Sequence, residues 1–311
     1  MKLLHISTLT IPFVALISFT LIGCGSEDDH SSDNGNKIIN TSNINSNLEE
    51  TNPYTHRIEF PRVKGGRSII VTHSLENGEV NYCLEWDTEK KSNRWTCYQM
   101  YADNSTVRTS RWYGNPQYPF DPSISSSYMF STDHYYGTGY DHGHLCPSGD
   151  RLNTKEANIQ TFYISNMQPQ LKKFNGSDKG GGIWLTMENK IRSALNKNSN
   201  DTLFICRGGT IDRLDQIKET RKDGFIVPGY FFSAAYMKYY NKYLRKWEHK
   251  AIGFWFKHEN NQDASLKPYV VNIDQLEQLT GIDFFCNLPD DIENKIESLD
   301  RETIITVWNI L

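Results

Sequence analysis

Apolar positions gather first near the start of the chain, in a run from about Ile11 to Ile22 behind Met1-Lys2. The run is too short and too poorly flanked for a membrane span, and its anatomy predicts an export signal over residues 1–23. From residue 24 to about 55 the pattern turns polar: Ser, Asn, Asp and Gly, with almost nothing to bury. Such a stretch cannot offset the entropy of folding, which predicts a disordered tether. A folded domain is then expected over residues 56–311.

Within that domain the periods change. Residues 68–73 are short and β-branched, as a strand requires. Residues 81–86 and 94–98 predict two strands set symmetrically about a polar turn. Residues 103–133 show no period and are rich in Ser, Pro, Gly and Tyr; so long an irregular stretch either wraps the core or serves function. A short helix is expected over 151–159 with Asp150 as its cap, and residues 161–170 are expected to end in a loop. From residue 183 to about 196, Trp184, Met187, Glu188 and Ile191 fall at helical spacing. Glu188 on that apolar face demands a partner. Strands follow at 202–206, 230–240 and 250–256, then a helix at 272–281 that Gly281 stops. Strands and helices do not alternate, so the pattern predicts an α+β fold with a largely antiparallel sheet.

Composition narrows the picture. In 311 residues, 38% are hydrophobic and 13% aromatic, enough for a packed core. The formal net charge of -4 excludes a molecule that is basic overall, but the distribution is uneven. Residues 24–52 hold six acids against one lysine, whereas residues 166–222 hold eleven Lys/Arg against six Asp/Glu. A basic segment of this kind suits sequence-independent, salt-sensitive contact with a phosphate backbone.

The export signal ends in Leu21-Ile22-Gly23-Cys24, which resembles a bacterial lipoprotein box. Cys24 would then carry the lipid. Acidic residues follow it, as in lipoprotein surface-export signals. The expected address is the bacterial cell envelope, lipid-anchored in the outer membrane, with the leaflet and exposure at the surface left open. Five cysteines remain, and an odd count leaves at least one unpaired. Cys83 and Cys97 sit as cross-strand partners, bonded or merely facing. No CxxC pair is present, which argues against structural zinc.

The chemistry concentrates in Gly139-Tyr140-Asp141-His142-Gly143-His144-Leu145-Cys146-Pro147-Ser148-Gly149-Asp150-Arg151. On a strand, His142, His144 and Cys146 would share one face, a possible transition-metal set. Gly143 would leave room for a ligand or a backbone. Downstream come Asn166, Asn175 and Glu188. A histidine can act as general base at neutral pH, and an amide oxygen with a carboxylate offers hard ligands of the kind Mg²⁺ takes.

Residues 140–151 resemble the Asp-Arg-Gly-His motif of the DNA/RNA non-specific endonucleases, the ββα-metal (His-Me finger) nucleases. Further matches are Phe162-Tyr163-Ile164-Ser165-Asn166-Met167-Gln168-Pro169-Gln170, then Asn175 followed by Gly182-Ile183-Trp184 and Glu188, then Leu279-Thr280-Gly281-Ile282-Asp283-Phe284-Phe285-Cys286-Asn287-Leu288-Pro289. The resemblance implies that fold and Mg²⁺-dependent hydrolysis of DNA and RNA, with Mn²⁺ as a substitute, leaving 5′-phosphate and 3′-hydroxyl ends. It implies His144 as general base, Asn175 as metal ligand, and Glu188 holding water of the metal. Asn166 would orient the base and the metal loop, and Asp141 would brace the motif. Arg111, with Arg108 behind it, would bind phosphate, and His142, Lys172 and Lys173 would add to the nucleic-acid surface. Two departures stand out. His142 replaces the motif's arginine, which removes a permanent bidentate charge. Extra glycine-rich residues before Trp184 imply a longer, looser metal loop. These departures favour an alternative reading, a catalytically impaired lipoprotein that only binds nucleic acid or another phosphate polymer.

Overall fold

The computed structural model describes residues 43–47, 52–178, 181–261, 263 and 265–310. The expected export signal, Cys24 and most of the expected tether lie outside them. In chain order the strands are β1 (Ser68–Ser74), β2 (Val80–Asp87), β3 (Ser92–Met100), β4 (Tyr140–His144), β5 (Met167–Leu171), β6 (Thr202–Gly209), β7 (Ile217–Thr220), β8 (Ile226–Pro228), β9 (Tyr230–Asn241), β10 (Lys246–Lys257) and β11 (Val270–Val271). The helices are α1 (Lys155–Gln160), α2 (Lys172–Asn175), α3 (Ile183–Ala194), α4 (Ile273–Thr280), α5 (Asp290–Glu297) and α6 (Arg301–Val307).

Seven strands form one antiparallel sheet in the order β1-β2-β3-β6-β9-β10-β11, while β4-β5 and β7-β8 stand as separate hairpins. The central strands are apolar on both faces because both faces are covered. In β6, Leu203 and Ile205 enter one core with Trp184, Met187 and Ile191 of α3. Phe204 and Cys206 enter the opposite core with Phe60, Ile273 and Leu276. Alternate side chains of a strand point to opposite faces, so one short run serves two layers.

Cys83 lies opposite Cys97, and Cys97 opposite Cys206, in a row across the sheet. All remain free thiols. Directly opposed residues hold their Cβ atoms about 4.5–5.5 Å apart, wider than the roughly 3.8 Å typical of a disulfide. Burial pushes the Cys83 thiol up to about 12, so it stays protonated and inert.

Several boundaries differ from the sequence expectation. The helix expected at residue 151 starts at Lys155, capped by Thr154, whose side chain accepts from the Ala157 N–H at 3.0 Å. Asp150 cannot cap it, because it is buried and bonded to Tyr98 at 2.7 Å and Arg192 at 2.5 Å. The loop expected before residue 170 is instead β5, paired with β4 so that His144 faces Met167. Gly143 does not make room for a ligand: a Cβ there would meet the buried Gln170 side chain at 2.3 Å. The folded unit also begins before residue 56. Asn43 donates to the carbonyls of Cys286 and Leu288, and buried Asn47 donates to those of Thr55 and Pro61. Composition alone missed this, because asparagine docks through its amide and buries little apolar surface. Among the described residues no helix is long and apolar enough to cross a membrane.

Candidate active site

Strand β4, the turn after it, the end of α2 and one side of α3 line a polar cleft of about 480 Å³ on the α3 side of the sheet. Arg111, Tyr118, Asp141, His144, Asn175 and Glu188 all line it.

His144 ends β4. Its ring packs edge-on against Phe162, centroids 4.9 Å apart. Nε2 is sealed from solvent and has no hydrogen-bond partner. Burial first, then the nearby Arg111 charge, pushes the imidazole down to about 3, against a hydrogen bond to the His142 main chain. The ring is therefore a neutral base with a free nitrogen.

Asn175 closes α2, which Gly176 terminates in a left-handed conformation at φ 95°. Its Nδ2 donates to Asp141 Oδ2 at 3.1 Å. Asp141 also accepts from the Ser177 hydroxyl. An amide whose nitrogen is held this way presents its oxygen at the other end, and among the described residues Oδ1 makes no hydrogen bond.

The expected looseness of the metal loop is not found at its base. A Cβ on Gly182 would lie 2.5 Å from Gly176 N and from the carbonyls of Lys173 and Phe174. The extra residues thus leave and return at one pinch point. Asn175 on one side and α3 on the other keep their places.

Glu188 is buried on α3 with Trp184, Met187 and Ile191. Burial raises its carboxyl to about 7, opposed first by the charge of Arg207 and reinforced by Asp150. The partner that its apolar face demanded is not found as an ion pair or hydrogen bond among the described residues; the charges acting on it are those of Arg207 and Arg192, which both face Asp150, at 3.7 and 2.5 Å.

Arg111 lines the cleft with its guanidinium 4.7 Å above the Phe162 ring. Arg108 does not reach it and pairs with Asp103 at 2.6 Å. Lys172 and Lys173 are exposed on α2, outside the cleft lining. Asn166 is fully buried and lines no part of the cleft. Its amide brackets the Cys146 main chain with two bonds of 2.9 Å and takes Thr161 O at 2.8 Å. It braces the turn behind His144 rather than touching reactants. Cys146 lies in the core, so His142, His144 and Cys146 do not converge as metal ligands.

His142 is clamped between Tyr118 (3.7 Å, 7°) and Tyr135 (4.2 Å, 22°). Its Nε2 meets Asp133 Oδ2 at 2.9 Å. Sequence reasoning missed Tyr118, Tyr135 and Asp133; the only signal was the tyrosine content of the aperiodic stretch.

The sequence pattern of the DNA/RNA non-specific endonucleases matches residues 70–291. The chain belongs to this family. A nuclease of Nostoc sp. is 26% identical over 226 residues, 70% of this chain and 75% of that protein. Nuclease C1 of Cunninghamella echinulata is 25% identical over 67% of this chain and 81% of its own length. The mitochondrial nuclease EXOG of Homo sapiens is 23% identical over 69% of this chain and 58% of its own length. In fold the chain is similar to endonuclease G as seen in the EndoG/EndoGI complex, with a TM-score of 0.57 at 18% identity, covering 73% of this chain and 91% of that one. The family is one of metal-dependent nucleases, and this chain is a metal-dependent endonuclease with the α+β, ββα-metal fold.

The residues present fit a hydrated divalent cation. Asn175 offers a free amide oxygen, and Glu188 offers a carboxylate that makes no hydrogen bond among the described residues, both on one polar cleft.

Proposed function

We propose that this endonuclease hydrolyses both DNA and RNA, without regard to the sugar, in a Mg²⁺-dependent reaction that leaves 5′-phosphate and 3′-hydroxyl ends. His144 Nε2 takes the proton of a water that attacks phosphorus. Asn175 would hold the cation directly, and Glu188 would hold it through its hydration shell. When bound, that ion supplies positive charge against the phosphoryl oxygens and the departing 3′ oxygen. Arg111 binds the phosphate, Asp141 fixes the Asn175 amide, and Asn166 holds the turn behind the base. His142 and the exposed Lys172 and Lys173 steer the polyanion. Mn²⁺ would serve in place of Mg²⁺. The observation that carries this reading is that His144, whose Nε2 has no partner, lines the same cleft as Asn175.

The protein is further proposed to be exported and lipid-anchored through Cys24 to the bacterial envelope. The box at residues 21–24 supports that address.

His142 at the motif's arginine position favours a second reading, binding without cutting. Protein lacking residues 1–30, incubated with plasmid and RNA in Mg²⁺, Mn²⁺ or chelator, separates the two. Cutting of both substrates that chelator stops, and that His144→Ala abolishes while binding survives, supports hydrolysis. Retained binding with no cutting in either metal establishes the second reading.

A further inference from the structure

Helices α4 and α5 lie over the other face of the sheet, where Ile273, Leu276 and Ile296 pack into the core opposite the cleft side. On α4, Asp274 and Glu277 stand three residues apart and so share a side. Glu297, the last residue of α5, meets them. One carboxylate oxygen from each of the three lies within 4.8 Å of the others. Two more acids stand close: buried Glu293 and Asp283. Among the described residues no Lys or Arg forms an ion pair with Asp274, Glu277 or Glu297. The Arg62 guanidinium acts on Asp283.

A second observation is independent of this crowding. Glu297 is only 7% exposed, and its Oε1 is sealed from solvent with no hydrogen-bond donor. Buried carboxylate oxygens are normally satisfied, because desolvating one without a partner is costly. Glu297 also ends a helix, where the backbone carbonyls already carry negative partial charge.

We propose that Asp274, Glu277 and Glu297 bind a divalent metal ion, calcium in preference to magnesium. Carboxylate oxygens are the ligands calcium takes, at about 2.3–2.6 Å, in an irregular shell that tolerates three side chains from two helices. Oxygens within 4.8 Å of one another can surround such an ion. Magnesium demands near-octahedral geometry and dehydrates reluctantly. Asp274 and Glu277 are partly exposed, so the ion can enter from solvent. Asn45 donates to Asp283 and to Glu293 at 3.0–3.3 Å, so the ion would also secure residues 43–47 against α4 and α5. The site is remote from hydrolysis, so its function is structural.

The test uses the full chain carrying Asn175→Ala, which removes the ligand proposed in the cleft, stripped with chelator and titrated calorimetrically with CaCl₂ near neutral pH. The expected result is one Ca²⁺ per chain and a melting temperature that rises with Ca²⁺, by mass action. Glu297→Gln should weaken Ca²⁺ binding by about tenfold or more. It should at the same time leave the ion-free protein folded, with a melting temperature that no longer rises with Ca²⁺. If that variant does not fold, Glu277→Gln must show the same weakened binding. Absence of Ca²⁺ binding in the folded parent, or unchanged binding in a folded glutamine variant, overturns the proposal.

Discussion

Asn175 donates its Nδ2 to Asp141 Oδ2 at 3.1 Å, and this single bond decides which end of the amide the cleft receives. A carboxylate can only accept, so it selects the nitrogen and leaves the oxygen outward. Asp141→Asn removes that selection, since an amide can donate as well as accept. The Mg²⁺ concentration for half-maximal plasmid nicking should rise by about 10–100-fold, the usual cost of losing a residue that orients a ligand. Metal dependence equal to the parent's would show that Asp141 does not orient Asn175.

His144 should behave as a neutral base throughout the working range. Its folded pKa, about 3, is depressed below the ordinary 6.5. Between those values the unfolded chain binds the extra proton, so this residue's contribution to stability is present above about pH 6.5 and is lost as pH falls toward 3. In the metal-free protein its ring resonances should therefore stay flat between pH 7.5 and 5. A midpoint near 6.5 would mean the ring is solvated, and the unpartnered Nε2 would lose its meaning. His144→Ala should cut the nicking rate by about 10²–10⁴-fold, the range for loss of a general base.

The pinch at Gly182 predicts a sharp contrast between neighbours. Gly182→Ala forces a Cβ against three backbone atoms at 2.5 Å. It should destabilise the protein by about 1–3 kcal/mol, as overpacking does, and shift α2 enough to depress activity. Gly181→Ala meets nothing within 4 Å and carries only the strain of φ +80°, roughly 1–2 kcal/mol, so its activity should survive. Equal activity loss in both would mean that the close approach of α2 to Gly182 does not hold Asn175.

How much of this was legible beforehand depended on where the cause lay. Strands β6, β9 and β10 could be read directly, because burial on both faces leaves a nearly unbroken apolar run. β5 could not: Pro169 interrupts Met167-Gln168-Pro169-Gln170-Leu171, and proline sits in strands only where its missing N–H is not needed, as in this two-stranded hairpin. β7 reads Ile-Lys-Glu-Thr and is largely exposed, so no pattern marks it. At the site, His144, Asn175 and Glu188 were legible because their residue types carry chemistry in a recognisable order. The clamp around His142 was not, because Tyr118 and Tyr135 arrive from a stretch with no period. Asp150 was misread for a similar reason. A local capping rule lost to Tyr98, Arg192 and Arg207, all distant in the chain.

His142 gives a test of the altered motif. A guanidinium carries a permanent, bidentate charge that an imidazole does not. Arginine at this position could still lie between Tyr118 and Tyr135 and pair with Asp133, since planar cations stack on aromatic faces. In His142→Arg, plasmid binding should tighten and its salt dependence steepen, because a permanent charge then faces the phosphate backbone. Binding and salt dependence equal to the parent's would show that charge at residue 142 does not matter to substrate contact.

The acids of α4 and α5 make a further prediction about stability in chelator. Glu277, Glu293 and Glu297 have folded values of about 8, 7 and 10, all above the ordinary carboxyl. Here the folded state holds the extra protons, so the stabilisation is complete below the unfolded value of 4.5 and fades as pH climbs through 7 and 8 toward 10. The groups around them, Asp274, Asp283 and Asp290, are also acids; Arg62 and Asn45 relieve mainly Asp283 and Glu293. Between pH 7 and 9, above the titration of His144 in either state, the melting temperature in chelator should fall. Glu297→Gln should flatten that fall, because it removes the most strongly shifted carboxyl. A slope identical in parent and variant would place the pH dependence elsewhere in the molecule.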